Sequence, residues 1–420
     1  MSVPTRARLP FPMPNVAFRN SLRLLGTRRF GTFWFASLLA NIGTWAQQVA
    51  QPWLMLSLGA SPFLLGLDAF ALGAPVLLLI LVGGALADHG DRRRIIAVFQ
   101  SIQMLCPVLL VILLVLGMVQ PWMVIVLSLV VGVTDALSMP SFQSIVPSIV
   151  EREQIPSGIA LNTTQFNLSR ILGPAVAGVL MASVGLAGAF AVSAASYVPF
   201  ILVALWILPR GTPAPAGTGG IDRHKLKAGV REVLHEPGLR GALLTVFLTS
   251  LLSAPLITFT PVLVKDVFHA SAGQFSTALG AFGVGGLIGA TGLLAVNPLH
   301  DRRPLSTWFA AGYGAIVVLA ALNPWTWGLP ALMVLAGITM TASNASANAL
   351  LQSSAPARIR GQTVSLFMLS MRGGMALGSL VTGITVHLLG VREALLLNGV
   401  IALLAHLAVG RVWLKVPLRS

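Results

Sequence analysis

Apolar residues in this chain come in long, almost unbroken stretches, and charged residues gather in the short breaks between them. A helix that crosses a bilayer needs ~20 consecutive apolar residues, because hydrocarbon tolerates only a backbone that satisfies its own hydrogen bonds. Stretches of that kind fall at 33–58, 62–87, 95–117, 122–146, 157–184, 188–208, 240–267, 274–296, 305–322, 328–353, 362–388 and 394–414. The pattern predicts an all-α membrane protein with twelve transmembrane helices.

Polar residues inside these stretches recur at helical spacing. Asn41, Thr44 and Gln48 share one face of the first stretch, with Gln47 and Gln51 beside them. Thr249, Ser253 and Thr260 align in the seventh, and Thr341, Asn344, Asn348 and Gln352 in the tenth. Such rows either line a water-filled cavity or bond helix to helix, at roughly 0.6 kcal/mol per bond. Asn41, Gln48, Thr249, Asn344 and Asn348 are the cavity candidates. Gly173 with Ala177, and Ala281 with Gly285 and Gly289, are small-residue rows that let helix backbones approach closely.

The breaks carry a repeat. Asp91-Arg92-Arg93 follows the second stretch and Asp301-Arg302-Arg303 the eighth. Gln143-Ser144-Ile145-Val146-Pro147 closes the fourth, and Gln352-Ser353-Ser354-Ala355-Pro356 closes the tenth. Arg170 in the fifth then answers Arg372 in the eleventh. Matches in constant order and near-constant spacing indicate a duplicated six-helix unit. Each unit holds an even number of spans, so the copies run in the same sense, related about an axis along the membrane normal. The expected organisation is a basic tail at 1–29, one bundle at 30–208, a linker at 209–239, a second bundle at 240–414 and a short tail at 415–420. The linker opens with a Pro/Gly/Thr-rich run and continues as an amphipathic segment, with Leu226, Val230, Val233 and Leu234 at helical spacing; it either lies on the membrane surface or is simply solvated.

Composition sharpens this picture. The chain is 55% hydrophobic and 9% charged, with a net charge of +15 over 420 residues. A soluble domain is about a quarter charged. A large positive charge can signal nucleic acid, but here its placement is topological. With the amino terminus inside, every Lys and Arg but Arg170, Lys265, Arg372 and Arg392 falls on a cytoplasmic segment. The positive-inside rule accounts for that bias, with both termini cytoplasmic and no nucleic-acid partner expected. The one cysteine, Cys106, rules out an internal disulfide. No signal peptide is expected ahead of Phe30. None of the four lysines follows a glycine and no His-x-x-x-His pair occurs, so neither an ATP-binding loop nor a zinc helix is supported, and no cofactor, metal or enzyme activity is expected.

A few ionisable residues interrupt the apolar stretches. An arginine near the bilayer centre carries a penalty of at least ~2.5 kcal/mol, so Arg170 and Arg372 must face protein or water. They either serve the transport pathway or gate, or cap carbonyls and pair with carboxylates structurally. Asp135 lies mid-span in the fourth stretch. Burial would let it trade a proton near neutrality, whereas a nearby arginine would hold it as a fixed counter-ion. Asp68, further out in the second span, is a second proton-coupling candidate.

The segment Gly84-Ala85-Leu86-Ala87-Asp88-His89-Gly90-Asp91-Arg92-Arg93 resembles the loop signature of the major facilitator superfamily, matching at Gly84, Leu86, Ala87, Asp88, Arg92 and Arg93. His89 replaces a basic residue, and Asp91 stands where glycine is usual. The run Phe166 to Gly178 is similar to the branch holding enterobactin-type exporters and macrolide-efflux-like proteins; its Gly173-Pro174 and Gly178 partly match the antiporter motif, with Ala177 in place of a glycine. The resemblance implies the two-bundle fold, helices one, four, seven and ten around a cavity, and a gate of Gly84, Asp88, Arg92 and Arg93. Asp88 would close that gate by approaching the amino terminus of the eleventh helix, whose dipole favours an anion, or is a solvated loop charge. The implied activity is proton-coupled efflux of a small amphipathic solute, siderophore-like or drug-like, by a monomer in the bacterial inner membrane. An importer of the same fold and a non-transporting membrane sensor are the alternatives. Two central arginines against one aspartate favour an anionic or metal-chelating solute.

Overall fold

The computed structural model describes residues 23–209, 230–233, 235–296, 301–356 and 359–415. Twelve long helices follow one another: α1 Arg28–Ser57, α2 Pro62–His89, α3 Arg92–Val115, α4 Pro121–Ile149, α5 Ile155–Ser183, α6 Gly185–Trp206, α7 Pro237–Val267, α8 Ala272–Gly292, α9 Arg302–Leu322, α10 Gly328–Ser354, α11 Arg360–Leu389 and α12 Val391–Trp413. Eleven of them are long and apolar enough to cross a membrane. The exception is α1, whose Asn41, Gln47, Gln48 and Gln51 dilute its apolar content. Sequence breaks act as helix signals: Ser61 caps α2 by accepting from Leu64 N, and Ser271 and Gln274 form a capping box at α8. α7 is continuous but widens into π turns at Thr249–Ser253 and Leu263–Val267. Most of the expected linker lies outside the described residues.

The six-helix shift read from the breaks recurs in the packing. In the first bundle α2 lies on α4, α1 on α5 and α6, and α3 on α4 and α6. Six helices later α8 lies on α10, α7 on α11 and α12, and α9 on α10 and α12. Between bundles α2 runs along α11 and α5 along α8, contacts that a twofold axis would exchange. Glycines make these seams tight. A Cβ on Gly66 of α2 would sit 2.4 Å from the Ser379 carbonyl oxygen of α11, and one on Gly283 of α8 would sit 2.8 Å from the Arg170 carbonyl oxygen of α5.

The bundle has two unlike ends. At the basic end lie the turns carrying Asp91–Arg93 and Asp301–Arg303. At the far end one apolar core runs through both bundles, taking in Leu54 and Met55 of α1, Leu65 of α2, Leu256 and Phe259 of α7, Phe275 of α8 and Val386 of α11. There Trp53 stacks on Phe275 with centroids 5.8 Å apart, and Lys265 Nζ donates to the Leu56 carbonyl at 2.6 Å. At the basic end the core splits. Phe30, Phe33, Ile145 and Phe200 form one cluster, and Leu239, Leu350, Ile359 and Trp413 another. The halves share one apolar core at the far end, whereas at the basic end each has its own.

Candidate functional site

Two facing ionisable groups mark the midplane. Arg372 Nη1 on α11 donates to Asp135 Oδ2 on α4 at 3.0 Å, and both side chains are more than a third exposed although they sit mid-span. Helices α4 and α11 belong to different bundles, so the pair spans the crevice between them. Asp135 thus has an arginine of the other bundle as its neighbour.

Arg170, the repeat partner of Arg372, sits differently. Its guanidinium lies 5.5 Å from the Trp45 ring of α1 and 5.7 Å from the Phe282 ring of α8, within cation–π range. Among the described residues it has no ion pair. A Cβ on Gly286 of α8 would lie 3.2 Å from the Thr341 hydroxyl of α10 and 4.0 Å from Arg170 Nη2. The Tyr313 hydroxyl of α9 is fully buried and makes no hydrogen bond.

Asp68 occupies a third environment. Ser128 Oγ of α4 donates to its Oδ1 at 2.6 Å and Gln51 Nε2 of α1 to its Oδ2 at 2.9 Å; Gln51 also donates to Ser128 at 2.7 Å. This ring ties α1, α2 and α4 together with neutral donors around a buried carboxyl. Gln47 extends it, bridging Gln51 to Ser193 of α6.

The expected cavity rows divide. Gln48 is exposed and Asn41, Asn344 and Asn348 are half-buried, with Asn348 accepting from Gln352 at 3.0 Å. Thr249 departs from expectation: it is fully buried, its hydroxyl 2.9 Å from His406 Nε2 of α12. Ser253 and Thr260 are buried with it. A π turn spans Thr249–Ser253, and of the row only Thr249 bonds a neighbouring helix, whereas Thr260 donates to the Leu256 carbonyl of its own.

The loop motif also works inside its own bundle. Arg92 Nε donates to the Ala87 carbonyl at the end of α2, at 3.1 Å, and Arg93 Nη1 donates to the Leu205 carbonyl at the end of α6. Asp91 caps α3 by accepting from Arg93 N. The second copy repeats the arrangement: Asp301 caps α9, and Arg303 Nη1 reaches the Trp413 carbonyl at the end of α12. Cations at helix C-termini and anions at N-termini both answer the helix dipole. Partial burial works against ionisation of Asp301, but the hydrogen bonds and charge of Arg303 outweigh it and hold the carboxyl below its ordinary value. Gly84 has open space where a side chain would project. The side chain of Asp88 lies outside what is described.

Sequence reasoning missed Trp45, Phe282 and Tyr313, since single aromatics in apolar spans look like ordinary core. It also missed His406, whose partner stood in a row assigned elsewhere. The Gln51–Asp68–Ser128 ring joins three helices that no local pattern aligns.

Two pseudo-symmetric six-helix bundles joined mid-span by a polar pair are the architecture of the major facilitator fold. A family profile described as "transmembrane secretion effector" matches residues 20–419, and the chain belongs to that family, an efflux branch of the superfamily. It is therefore a multi-pass membrane transport protein and not an enzyme. It is 24% identical over 376 residues to the staphyloferrin A transporter of Staphylococcus aureus, covering 88% of this chain and 92% of that one. It is 26% identical over 344 residues to the multidrug efflux pump Tap of Mycolicibacterium fortuitum (79% and 83%), and 26% over 371 residues to the enterobactin exporter EntS of Salmonella choleraesuis (86% and 87%). Among solved structures, the nucleoside transporter NupG superposes with a TM-score of 0.72 at 14% identity, covering 93% of this chain and 100% of that one. A bacterial homologue of the human lysosomal transporter Spinster gives 0.70 at 17%, covering 94% and 98%. These likenesses speak for the fold.

Proposed function

We propose that this protein exports a small amphipathic solute, anionic or metal-chelating, by alternating access driven by inward proton flow. The single observation that carries the reading is the asymmetry of the bundle: an apolar core continuous at the far end and divided at the basic end, with Asp135 and Arg372 joining the two halves. The arginine-rich end is the cytoplasmic one, so the crevice opens inward and the solute enters from the cytoplasm. Residues 30–208 and 240–414 are the two rocking bundles, tethered through 209–239, with both termini in the cytoplasm of a cell whose inner membrane holds the protein as a monomer. The relatives whose printed names specify enterobactin export and multidrug efflux support the outward direction and a siderophore-like or drug-like solute.

Protonation of Asp135 from the far side, after the solute has left, keeps it from pairing with Arg372 while the emptied carrier returns to the inward-open state, where release of that proton to the cytoplasm restores the pair seen here. Asp68 is the second carboxyl available to the coupling. The test is transport into inside-out vesicles under an imposed pH gradient. Uptake that collapses with the gradient is expected. Solute that moves only outward from such vesicles identifies an importer, and no solute movement under any gradient overturns the transport reading.

A further inference from the structure

Among the described residues the two bundles share one ion pair, where their symmetry calls for two. The register that aligns Gln143–Pro147 with Gln352–Pro356 sets Asn344 of α10 against Asp135 of α4, while Arg170 of α5 answers Arg372 of α11. The first pairing is a salt bridge at 3.0 Å. Its counterpart has a guanidinium on one side and an amide on the other. We propose that the solute supplies the missing carboxylate: Arg170 docks the anionic group of an aromatic or otherwise flat apolar anion, whose ring lies against Trp45 and Phe282.

This deepens the function proposed above and rests on it, since the solute must enter the crevice to reach α5. A mid-span guanidinium without a carboxylate is costly to keep, and two aromatic faces offset that cost only in part. The second bundle holds two further unmet polar atoms, on α9 and α10. The Tyr313 hydroxyl and the Asn344 amide oxygen are both shielded from solvent and make no hydrogen bond, although such groups in folded proteins are normally satisfied. A carboxylate or phenolate arriving at Arg170 presents acceptors to the guanidinium. Trp45 and Phe282 flank the guanidinium from different bundles, so a solute that pairs with Arg170 meets both halves. Binding at this point therefore reports to the α5–α8 seam, much as Asp135 and Arg372 report across α4 and α11. A cationic drug gains nothing from the site, because Arg170 repels it.

The experiment uses purified full-length protein in detergent and three probes of the same ring: 2-naphthoate, 2-naphthamide and 2-naphthylmethylammonium, measured by equilibrium dialysis. Wild type is expected to bind naphthoate at least about tenfold more tightly than naphthamide, the difference a charge-assisted hydrogen bond supplies, and the ammonium most weakly. Arg170→Met should erase the preference while naphthamide binding is kept. Arg170→Lys keeps the charge but not the fork and should retain part of it, which separates charge loss from misfolding. Asn344→Asp restores the symmetric carboxylate and should weaken naphthoate binding with little effect on naphthamide. Unchanged ratios in Arg170→Met, or a wild-type preference for the ammonium, overturn the inference. Because these are binding measurements, they fail independently of the vesicle assay: charge-indifferent binding with intact efflux sinks the anion site alone.

Discussion

Arg372 of α11 and Asp135 of α4 meet at 3.0 Å, the sole ion pair between the two bundles among the described residues. It lies at the level where the shared core of the far end gives way to the split cores of the basic end. A partly solvated pair of this kind contributes roughly 0.2–1 kcal/mol, enough to bias two conformers by up to about fivefold but not to lock one. Asp135→Asn should therefore shift the distribution of spin-label distances between the basic ends of α4 and α10, and should flatten the pH dependence of efflux. The charge-swapped double variant Asp135→Arg/Arg372→Asp should recover the wild-type distances. Identical distances and an unaltered pH profile in Asp135→Asn would remove this pair from the mechanism.

Fold and site were legible to different depths. Helix number and order followed from apolar length, because each span solves its backbone hydrogen bonding locally. The repeat was legible because Asp91 and Asp301 perform the same local task, capping α3 and α9. The meeting of Asp135 with Arg372 was not, since it joins residues far apart in sequence through the relative placement of whole bundles. Thr249 shows the opposite failure. Its row has regular α-helical spacing, yet a π turn runs through it, and a periodicity argument has no access to a turn that breaks the period. Arg92 and Arg93 carry the family signature, but in this conformation their bonds stay within the first bundle.

The ring of Gln51, Asp68 and Ser128 sets up a contrast between two substitutions. Asp68→Asn preserves shape and keeps an oxygen to accept from Ser128, whereas Asp68→Ala strands the donors of Gln51 and Ser128 in a sealed, apolar region. A buried donor left unpaired costs about 1–3 kcal/mol. Asp68→Ala should therefore unfold at a distinctly lower temperature than Asp68→Asn in thermal melts of detergent-purified protein. Equal melting temperatures would mean that water or rearrangement replaces the lost acceptor, and that the ring adds little to the joining of α1, α2 and α4.

Asp301 gives a prediction in pH. Its carboxyl is held below its ordinary value in the folded chain, against the pull of partial burial, by the hydrogen bonds and charge of Arg303. A depressed folded value means that the stabilisation is present above the unfolded value and fades as pH falls through the folded one. Melting temperatures of wild type and Asp301→Asn should thus differ at neutral pH and converge as the solution is acidified below the normal carboxylate range. A gap that persists in acid would assign the effect to the shape of the cap and not to its charge.

Two glycines on α2 test whether the basic end closes. A Cβ on Gly66 would lie 2.4 Å from the Ser379 carbonyl, so Gly66→Ala forces α2 away from α11 in the conformation seen here. Gly84, on the same helix near the basic end, meets nothing within 4 Å. A helical glycine costs about 1 kcal/mol relative to alanine, so Gly84→Ala should leave this conformer as stable or more so. If the halves rock together at the basic end, Gly84 becomes a point of close approach, as Gly66 is now at the far end. Gly84→Leu should then retain the wild-type melting temperature and solute binding yet lose most of its efflux, with spin labels held at the long basic-end distance. Full efflux by Gly84→Leu would show that the bundles never close upon that position, and Gly66→Ala supplies the control in which the clash already exists.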